Sequence, residues 1–251
     1  MRAAYAAHGV TGCDKLAQAL DGAEIILSLV TADQTTPAAF AASGTFPKGA
    51  LFCDMNSVSP GRKRANADAI EAAGGRYVDV AVMAPVQPAA LTVPLLLAGP
   101  HADDAAVMLA EIGFAKIGSR YPNVGDASAT KMVRSVMIKG IEALTAEMML
   151  AADRAGVTQA VLASLGGDWA TKADYNLDRM LAHGLRRAAE MEEVAATLTE
   201  LGLEPLMTSG TIQRQRALGG LLQGAPMPDN LEAKLAIIEE RHPELVSGSS
   251  A

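Results

Sequence analysis

Aromatic residues are scarce in this chain of 251 residues. Phe, Tyr and Trp together make up 4% of the sequence, which disfavours the aromatic stacking surfaces that bind single-stranded nucleic acid. Acidic residues outnumber basic residues by 28 to 21, which gives a formal net charge of -7. Nucleic-acid-binding domains normally carry a basic surface. We therefore expect no nucleic-acid partner.

Cysteine is also rare, with Cys13 and Cys53 as the two in the chain. Two cysteines cannot build a multi-disulfide framework or a four-cysteine zinc site. This favours a reducing, cytoplasmic location. No apolar run approaches the ~20 residues that a membrane-spanning helix needs, so we expect no association with a membrane.

Motifs of several enzyme classes are absent as well. The sequence contains no G-x-S-x-G, no G-x-x-x-x-G-K-[ST], no H-E-x-x-H and no C-x-x-C. These absences count against a serine hydrolase, a nucleoside triphosphatase of the P-loop type and a zinc enzyme. No metal site is predicted.

Short apolar runs alternate with helical patterns over the first 120 or so residues. The runs are Glu24–Val30, Ala50–Asp54, Arg76–Val82 and Pro94–Ala98. Continuous apolar strands separated by helices are typical of a parallel sheet that is covered on both faces. From Gly125 onward the pattern becomes helical and rich in Ala, Leu, Met and Glu.

This change of pattern predicts two domains of different class. We expect an α/β domain with an incomplete parallel sheet over residues 1–122, an all-α domain over 123–246 and a solvated tail over 247–251. The first long helix of the second domain is predicted over 127–155 and has apolar residues nearly all round. Such a helix needs more cover than a half-domain of this size provides, which predicts a homodimer.

One lysine stands near the start of that apolar helix. Lys131 must keep its ammonium hydrated, paired or deprotonated, because an unpaired buried charge is very costly. A lysine in such surroundings can exchange protons with a substrate. Alternatively, Lys131 extends to water or pairs with Glu142 on a later turn.

A second basic feature is the segment from His183 to Arg187, which reads His-Gly-Leu-Arg-Arg. Such a cluster could hold a carboxylate or a phosphate. An exposed helix face would have the same composition. The pattern alone leaves both interpretations open.

Four short motifs follow one another along the chain. They are Glu24–Val30 with Thr31, the segment Asp54–Pro60, the segment Tyr77–Val82, and Gly125-x-Ala127-x-x-x-Lys131. In this order and spacing they resemble the β-hydroxyacid dehydrogenases, the superfamily of 3-hydroxyisobutyrate dehydrogenase and 6-phosphogluconate dehydrogenase. The helical half resembles a less characterised branch whose C-terminal domain has no settled function.

The resemblance covers about residues 1–220 and implies a Rossmann-like dinucleotide-binding domain, NAD or NADP as cofactor and a small hydroxy acid as substrate. Lys131 matches the catalytic lysine, which takes or returns the hydroxyl proton during hydride transfer. The resemblance further implies cofactor binding by Leu29, Val30, Thr31, Asn56, Ser57 and Arg187, and substrate binding by Met83, Arg134, Ser135 and Arg186.

The sequence departs from the family pattern in three places. Met83-Ala84-Pro85 stands where the family usually has Ser-Gly-Gly, and Arg134-Ser135 replaces an Asn pair. No G-x-G-x-x-G is present. Relative to the family, the chain is therefore interpreted as truncated, lacking the first strand, the glycine turn and the acidic residue that follows. This would leave Glu24–Val30 as an edge strand.

Two functions remain open at this point. The leading hypothesis is an NAD(P)-dependent dehydrogenase of the β-hydroxyacid type. The alternative is a non-catalytic remnant that acts only as a helical dimerisation module.

Overall fold

The computed structural model describes residues 2–222 and 224–241. It divides into two compact units, Met1–Met132 and Val133–Ala251. The sequence-based boundary at 122/123 precedes the first long helix, whereas the two units divide within it. The predicted tail over 247–251 lies outside the described residues.

The described part of the first unit contains five strands and six α-helices before the long helix that leaves it. The strands are β1 (Ile25–Ser28), β2 (Leu51–Asp54), β3 (Arg76–Val82), β4 (Leu95–Ala98) and β5 (Ile117–Tyr121); the helices are α1 (Arg2–Ala7), α2 (Leu16–Leu20), α3 (Thr35–Ser43), α4 (Pro60–Ala72), α5 (Val86–Ala89) and α6 (Ala102–Ile112).

The remaining helices account for most of the second unit. They are α7 (Asp126–Arg154), which begins in the first unit, α8 (Thr158–Leu165), α9 (Trp169–Glu200), α10 (Leu206–Gly219) and α11 (Leu231–Arg241). An α/β unit followed by a helical one confirms the predicted fold class.

The five strands form one sheet in the order β1-β2-β3-β4-β5. β1, β2 and β3 are parallel, but β4 runs antiparallel to β3, and β5 is parallel to β4. The prediction of a wholly parallel sheet was therefore wrong at β4. The connection from Met83 to Pro94 contains only single helical turns, whereas a parallel neighbour is normally reached through a full crossover helix.

Both faces of the sheet are covered, as predicted. Leu51, Cys53 and Val78 point to one face and pack with residues of α6. Phe52 and Tyr77 point to the other and pack with residues of α3 and α4. This alternation follows from the period of two residues along a strand. Among the described residues β1 pairs with β2 alone, which makes it the edge strand that the sequence predicted.

The register of the parallel strands sets polar residues side by side. Ser28 of β1 pairs with Asp54 of β2, and Asp54 pairs with Asp79 of β3. All three side chains are buried. The sheet therefore carries a polar row across its first three strands, and the ligand sites of such sheets lie beyond the carboxyl ends of the strands.

In the second unit, α9 and α10 cross at two glycines. A Cβ atom built on Gly184 would lie 2.2 Å from the Gln215 carbonyl oxygen and 2.6 Å from the Gly219 Cα. A Cβ atom on Gly219 would lie 2.2 Å from the Leu185 backbone nitrogen. The two backbones are in contact here, so any side chain at either glycine would separate the helices.

Helix α7 confirms the predicted long helix, but its own unit leaves one side of it uncovered. Val133, Met137 and Leu144 are exposed. They line a groove between α7 and α10, called the α7–α10 groove below, with a volume of about 810 Å³. Its other walls include Ile141, Gly140, Leu206, Met207 and Gly210.

Across residues 2–222 and 224–241, no helix is long and apolar enough to cross a membrane. The same residues contain no group of three or more His, Cys, Asp or Glu placed to hold a metal ion.

Candidate functional site

A fully buried ion network lies beneath the carboxyl ends of β2 and β3. The Nζ of Lys63, in the first turn of α4, lies 3.0 Å from Asp54 Oδ1 and 3.3 Å from Asp79 Oδ1. It also donates a hydrogen bond of 2.6 Å to the Asp54 carbonyl oxygen. All three side chains are 0% exposed. Lys63 therefore neutralises two adjacent carboxylates, one at the end of β2 and one in the middle of β3.

The charge state of Asp54 follows from these contacts. Burial alone would raise the pKa of the Asp54 carboxyl, but the positive charge of Lys63 and hydrogen bonds from Tyr77 and Asn56 outweigh it. The net effect is a pKa below the ordinary value of an aspartate. Asp54 is therefore ionised at neutral pH, as a carboxylate that only accepts hydrogen bonds.

Asp54 in turn orders the turn that follows β2. Its Oδ1 accepts hydrogen bonds from the Asn56 backbone N–H at 3.0 Å and from Asn56 Nδ2 at 2.8 Å. The Asn56 Oδ1 then accepts a hydrogen bond of 2.7 Å from the Val30 N–H, and its Nδ2 also donates to Ser28 Oγ at 2.9 Å. Asn56 thereby joins the loop after β1 to the loop after β2.

Asp79 performs the corresponding task at the start of α7. Its Oδ2 accepts the Ser128 backbone N–H at 2.9 Å, and its Oδ1 accepts Ser128 Oγ at 2.6 Å. Amides in the first turn of a helix have no partner within the helix. The Asp79 carboxylate satisfies this one and interacts favourably with the positive end of the helix dipole.

Lys131 lies one turn further along α7. Its Nζ donates a hydrogen bond of 2.6 Å to Ser57 Oγ, and both residues are partly buried. Ser57 directly follows Asn56, the residue that Asp54 holds. The structure thus brings together Lys131, Ser57, Asn56 and Val30 within the first unit. Glu142, the alternative partner of Lys131 in the sequence-based interpretation, instead accepts hydrogen bonds from Arg187 and Gln215.

The loop after β1 offers an apolar surface to solvent. Leu29 is 69% exposed and Val30 is 41% exposed, and Thr31 is also exposed. The resemblance implies that Leu29, Val30, Thr31, Asn56 and Ser57 bind the dinucleotide. These five residues lie in the loops that follow β1 and β2, at the edge of the sheet where ligands of such folds bind.

Met83 follows the end of β3 and is partly buried. Its backbone N–H donates to the Pro94 carbonyl oxygen at 2.9 Å. That amide is committed to the sheet, so Met83 offers its side chain rather than its backbone to a ligand.

The other predicted site residues lie in the second unit. Arg187 is buried, and its guanidinium donates to both carboxylate oxygens of Glu142, with the Nε bond at 3.0 Å. Gln215 Nε2 donates to the same carboxylate at 2.9 Å. The Arg187 guanidinium is thus held in an ion pair between α7 and α9.

Arg186, by contrast, is exposed and pairs with Glu190 one turn along α9. Glu190 also lies 2.9 Å from the Nζ of buried Lys139, which is 3.5 Å from Ser135 Oγ. Arg134 is exposed on α7. Arg134 and Arg186 therefore lie on the surface, while Ser135 is buried beside Lys139.

His183 lies on α9 close to Arg186 and Arg187 in the sequence. Burial lowers the pKa of His183, and the guanidinium groups of Arg179, Arg186 and Arg187 lower it further. Because Arg186 is paired with Glu190 and Arg187 with Glu142, binding of a carboxylate or phosphate by this segment stays a prediction.

Sequence reasoning missed Lys63 and the partner of Asp79. Lys63 stands between Arg62 and Arg64, a charge run that indicates an exposed helix face. The signal that was available is the pair of aspartates at Asp54 and Asp79, because ionised aspartates in buried strands require a buried cation or several donors.

Two family models match the chain. Residues 2–125 match the NAD binding domain of 6-phosphogluconate dehydrogenase, and residues 152–218 match a domain of unknown function (DUF1932). No curated protein matches the chain.

Several solved structures match over nearly the whole chain. A conserved hypothetical protein from Sinorhizobium meliloti 1021 is 37% identical with a TM-score of 0.76, over 96% of this chain and 82% of that one. A conserved protein of unknown function, reported as structurally similar to 3-hydroxyacid dehydrogenases, is 30% identical with a TM-score of 0.68, over 85% of this chain and 81% of that one.

A more distant match shares the fold. The 3-hydroxyisobutyrate dehydrogenase of Salmonella typhimurium is 17% identical with a TM-score of 0.69, over 94% of this chain and 87% of that one. Together with the two family models, the nearer matches confirm the resemblance that the four motifs indicated. The chain belongs to the β-hydroxyacid dehydrogenase superfamily, as a member in which an NAD(P)-binding domain is followed by a helical domain of unknown function.

Proposed function

We propose that this protein is an NAD(P)-dependent oxidoreductase that transfers hydride between nicotinamide and a small hydroxy acid, with Lys131 as the proton donor and acceptor. The observation that carries the proposal is the 2.6 Å contact between Lys131 Nζ and Ser57 Oγ. It sets an ammonium group and a hydroxyl where the strands of an NAD-binding domain end, which is where ligands of such sheets bind.

The chemistry needs a proton carrier near the substrate oxygen. A bound NAD or NADP supplies hydride acceptance or donation at its nicotinamide ring. In the oxidation direction the substrate carbon loses a hydride and its hydroxyl loses a proton, so that the C–O bond becomes C=O. Lys131, as a neutral amine, accepts that proton; in reduction, as an ammonium, it returns the proton to the carbonyl oxygen.

Ser57 and Asn56 prepare this step through their hydrogen bonds. The Ser57 hydroxyl gives the Lys131 ammonium a fixed partner before substrate enters. The Asn56 Oδ1 accepts a hydrogen bond of 2.7 Å from the Val30 N–H. This bond holds the loop after β1 in place, and with it the exposed apolar side chains of Leu29 and Val30. Both roles are positional, and neither requires these side chains to ionise.

The substrate carboxylate requires a cation other than Lys131. Arg134 and Arg186 are exposed, Arg186 within its ion pair with Glu190, and the planar donor pattern of a guanidinium matches a carboxylate. The proposed substrate-binding residues are completed by Met83 and Ser135. Arg187 is the last of the proposed cofactor-binding residues. Arg187 would act from within its ion pair with Glu142.

The test is turnover with a panel of short 2- and 3-hydroxy acids, using NAD and NADP separately at millimolar concentration. The proposal expects at least one hydroxy acid to support nucleotide reduction in the parent chain, and not in Lys131→Met. A chain that binds dinucleotide but reduces it with none of the panel would overturn the proposal.

The second candidate function is helical dimerisation without catalysis, and the α7–α10 groove is the observation that favours it. Met137, Leu206 and Met207 are each about two-thirds exposed. Apolar surface of this size is normally covered by a partner. Dimerisation through this groove is compatible with the dehydrogenase, and it would be the whole function only if turnover is absent.

A further inference from the structure

We infer that Lys63 is a positioning residue for the proposed site: its buried ammonium fixes both the turn that carries Ser57 and the first turn of the helix that carries Lys131. The inference rests on the proposed function for the role of Lys131. Its structural content stands on contacts within the first unit alone.

Every N–H donor of the Lys63 ammonium has an acceptor. A lysine has three N–H donors, and the structure provides three acceptors: the Asp54 carbonyl oxygen at 2.6 Å, Asp54 Oδ1 at 3.0 Å and Asp79 Oδ1 at 3.3 Å. A cation that is 0% exposed is tolerated only with such partners. Lys63 therefore has one well-defined location.

One set of contacts connects Lys63 through Asp54 to the turn that carries Ser57. The Asp54 Oδ1 that contacts Lys63 also accepts both donors of Asn56. Without the cation, this oxygen would lie beside the Asp79 carboxylate with no positive charge between them. Ser57 follows Asn56 directly, so its Oγ moves with that turn.

A second set of contacts connects Lys63 through Asp79 to the helical turn that carries Lys131. The Asp79 Oδ1 that contacts Lys63 also accepts Ser128 Oγ, and Oδ2 accepts the Ser128 N–H. Ser128 and Lys131 are three residues apart in a helix and lie on the same face. Fixing the Ser128 amide therefore fixes the origin of the Lys131 side chain.

The two routes meet at one contact. Each begins at Lys63, and each ends at one partner of the 2.6 Å hydrogen bond between Lys131 and Ser57. In the absence of Lys63, two carboxylates in register on neighbouring strands would repel, and one would take up a proton. A protonated Asp79 would lose part of its capacity to accept hydrogen bonds from Ser128.

The experiment compares Lys63→Met with Ile70→Ala by amide hydrogen exchange in the full chain. Ile70 lies on the same helix and is 0% exposed, but no contact of the ion network involves it. Lys63→Met should raise exchange at the Asn56 and Ser128 amides by about tenfold more than at the central amides of β2 and β3, because the carboxylate that accepts each of these two amides loses the cation that holds it in place. Ile70→Ala should raise exchange at all of these amides together.

A second readout follows the lysine itself. Acylation of Lys131 by acetic anhydride, measured against exposed Lys48 over a range of pH, should give a different pH profile in Lys63→Met and an unchanged profile in Ile70→Ala. If Lys63→Met does not fold, Asp79→Asn takes its place. That variant should raise exchange at Ser128 and leave the Asn56 amide close to its parent value.

The inference is wrong if Lys63→Met and Ile70→Ala give the same exchange pattern and the same Lys131 profile. It is also wrong if Asp79→Asn leaves exchange at Ser128 unchanged. None of these readouts uses turnover. A failure of the proposed function, such as full activity in Lys131→Met, is therefore distinguishable from a failure of the positioning role.

Discussion

Lys131 Nζ lies 2.6 Å from Ser57 Oγ, although the two residues are 74 positions apart. The contact joins the first helix after the sheet domain to the turn that follows β2. Under the proposed function, this contact holds Lys131 ready for proton transfer at the carboxyl end of β2.

Replacement of Lys131 tests its proposed role in proton transfer most directly. In a form of the protein that turns over a hydroxy acid, Lys131→Met should lower kcat by about 10² to 10⁴, the usual loss for a positioned acid or base. Dinucleotide affinity should remain close to the parent value. The measurement is steady-state kinetics together with a calorimetric titration.

The control is Lys48→Met. Lys48 is exposed and precedes the amino end of β2, opposite the end that carries Ser57. An equal loss of kcat in both variants would contradict a specific role for Lys131, and so would a Lys131→Met variant whose dinucleotide affinity falls as far as its kcat.

Dinucleotide affinity itself is expected to be low for the chain of 251 residues. The loop after β1 provides apolar side chains, but the sequence contains no G-x-G-x-x-G, the turn whose amides and following helix bind the pyrophosphate. Calorimetric titration with NADH and with NADPH should give dissociation constants well above the micromolar range. A micromolar value for either nucleotide would show that this turn is dispensable.

The sequence predicted the strands well and their directions less well. Apolar runs locate β1 to β4 because a strand covered on both faces must be apolar throughout. β5 was missed, since its middle residues Gly118, Ser119 and Arg120 are exposed and leave no continuous apolar run. The reversed direction of β4 depends on the short connection after Met83, which no residue pattern marks clearly.

For the candidate site, too, the sequence predicted some residues but not the contacts between them. Lys131 and Ser57 were predicted from ordered motifs, but their contact depends on the fold. Arg186 and Arg187 are adjacent in sequence, yet one is exposed and the other is held by Glu142. Neighbouring residues on a helix point in different directions, and only the position of α7 decides which arginine finds a buried carboxylate.

Asp54 provides a prediction for acid stability. Its folded-state pKa lies below the ordinary value of 3.8, so its ionised form stabilises the fold. That contribution is fully present above about pH 5 and is lost as the pH falls through 3.8 towards the lowered folded-state value. Asp54→Asn should lower the free energy of unfolding at neutral pH by about 3 kcal/mol and flatten its decline in acid.

Urea unfolding between about pH 2 and pH 7 measures both effects. Asp68→Asn is the matched control, because Asp68 is exposed on α4, the helix that carries Lys63. It should follow the parent curve. A parallel acid decline in Asp54→Asn and the parent would show that Asp54 does not contribute to the pH dependence.

The glycine crossing in the second unit gives a stability prediction with an internal control. Gly184→Ala should lower the free energy of unfolding by about 1 to 3 kcal/mol, because the new methyl group meets the backbone of α10. Gly220→Ala, at the end of α10 with right-handed helical backbone and open space at its Cβ position, should raise it by about 0.4 to 1 kcal/mol. Thermal or urea unfolding of both variants is the measurement; equal effects would contradict the close helix crossing.

The α7–α10 groove predicts the assembly state. Met137 is 65% exposed at this groove, and a charge there would have to be buried if a second copy covers it. Light scattering at micromolar concentration should give twice the monomer mass for the parent and the monomer mass for Met137→Glu. Val107→Glu is the control, because Val107 is 61% exposed on α6 and does not line the groove, and this variant should leave the dimer intact. A monomeric parent would remove the groove as a dimer interface, and dissociation by both variants would show that added charge alone disrupts association.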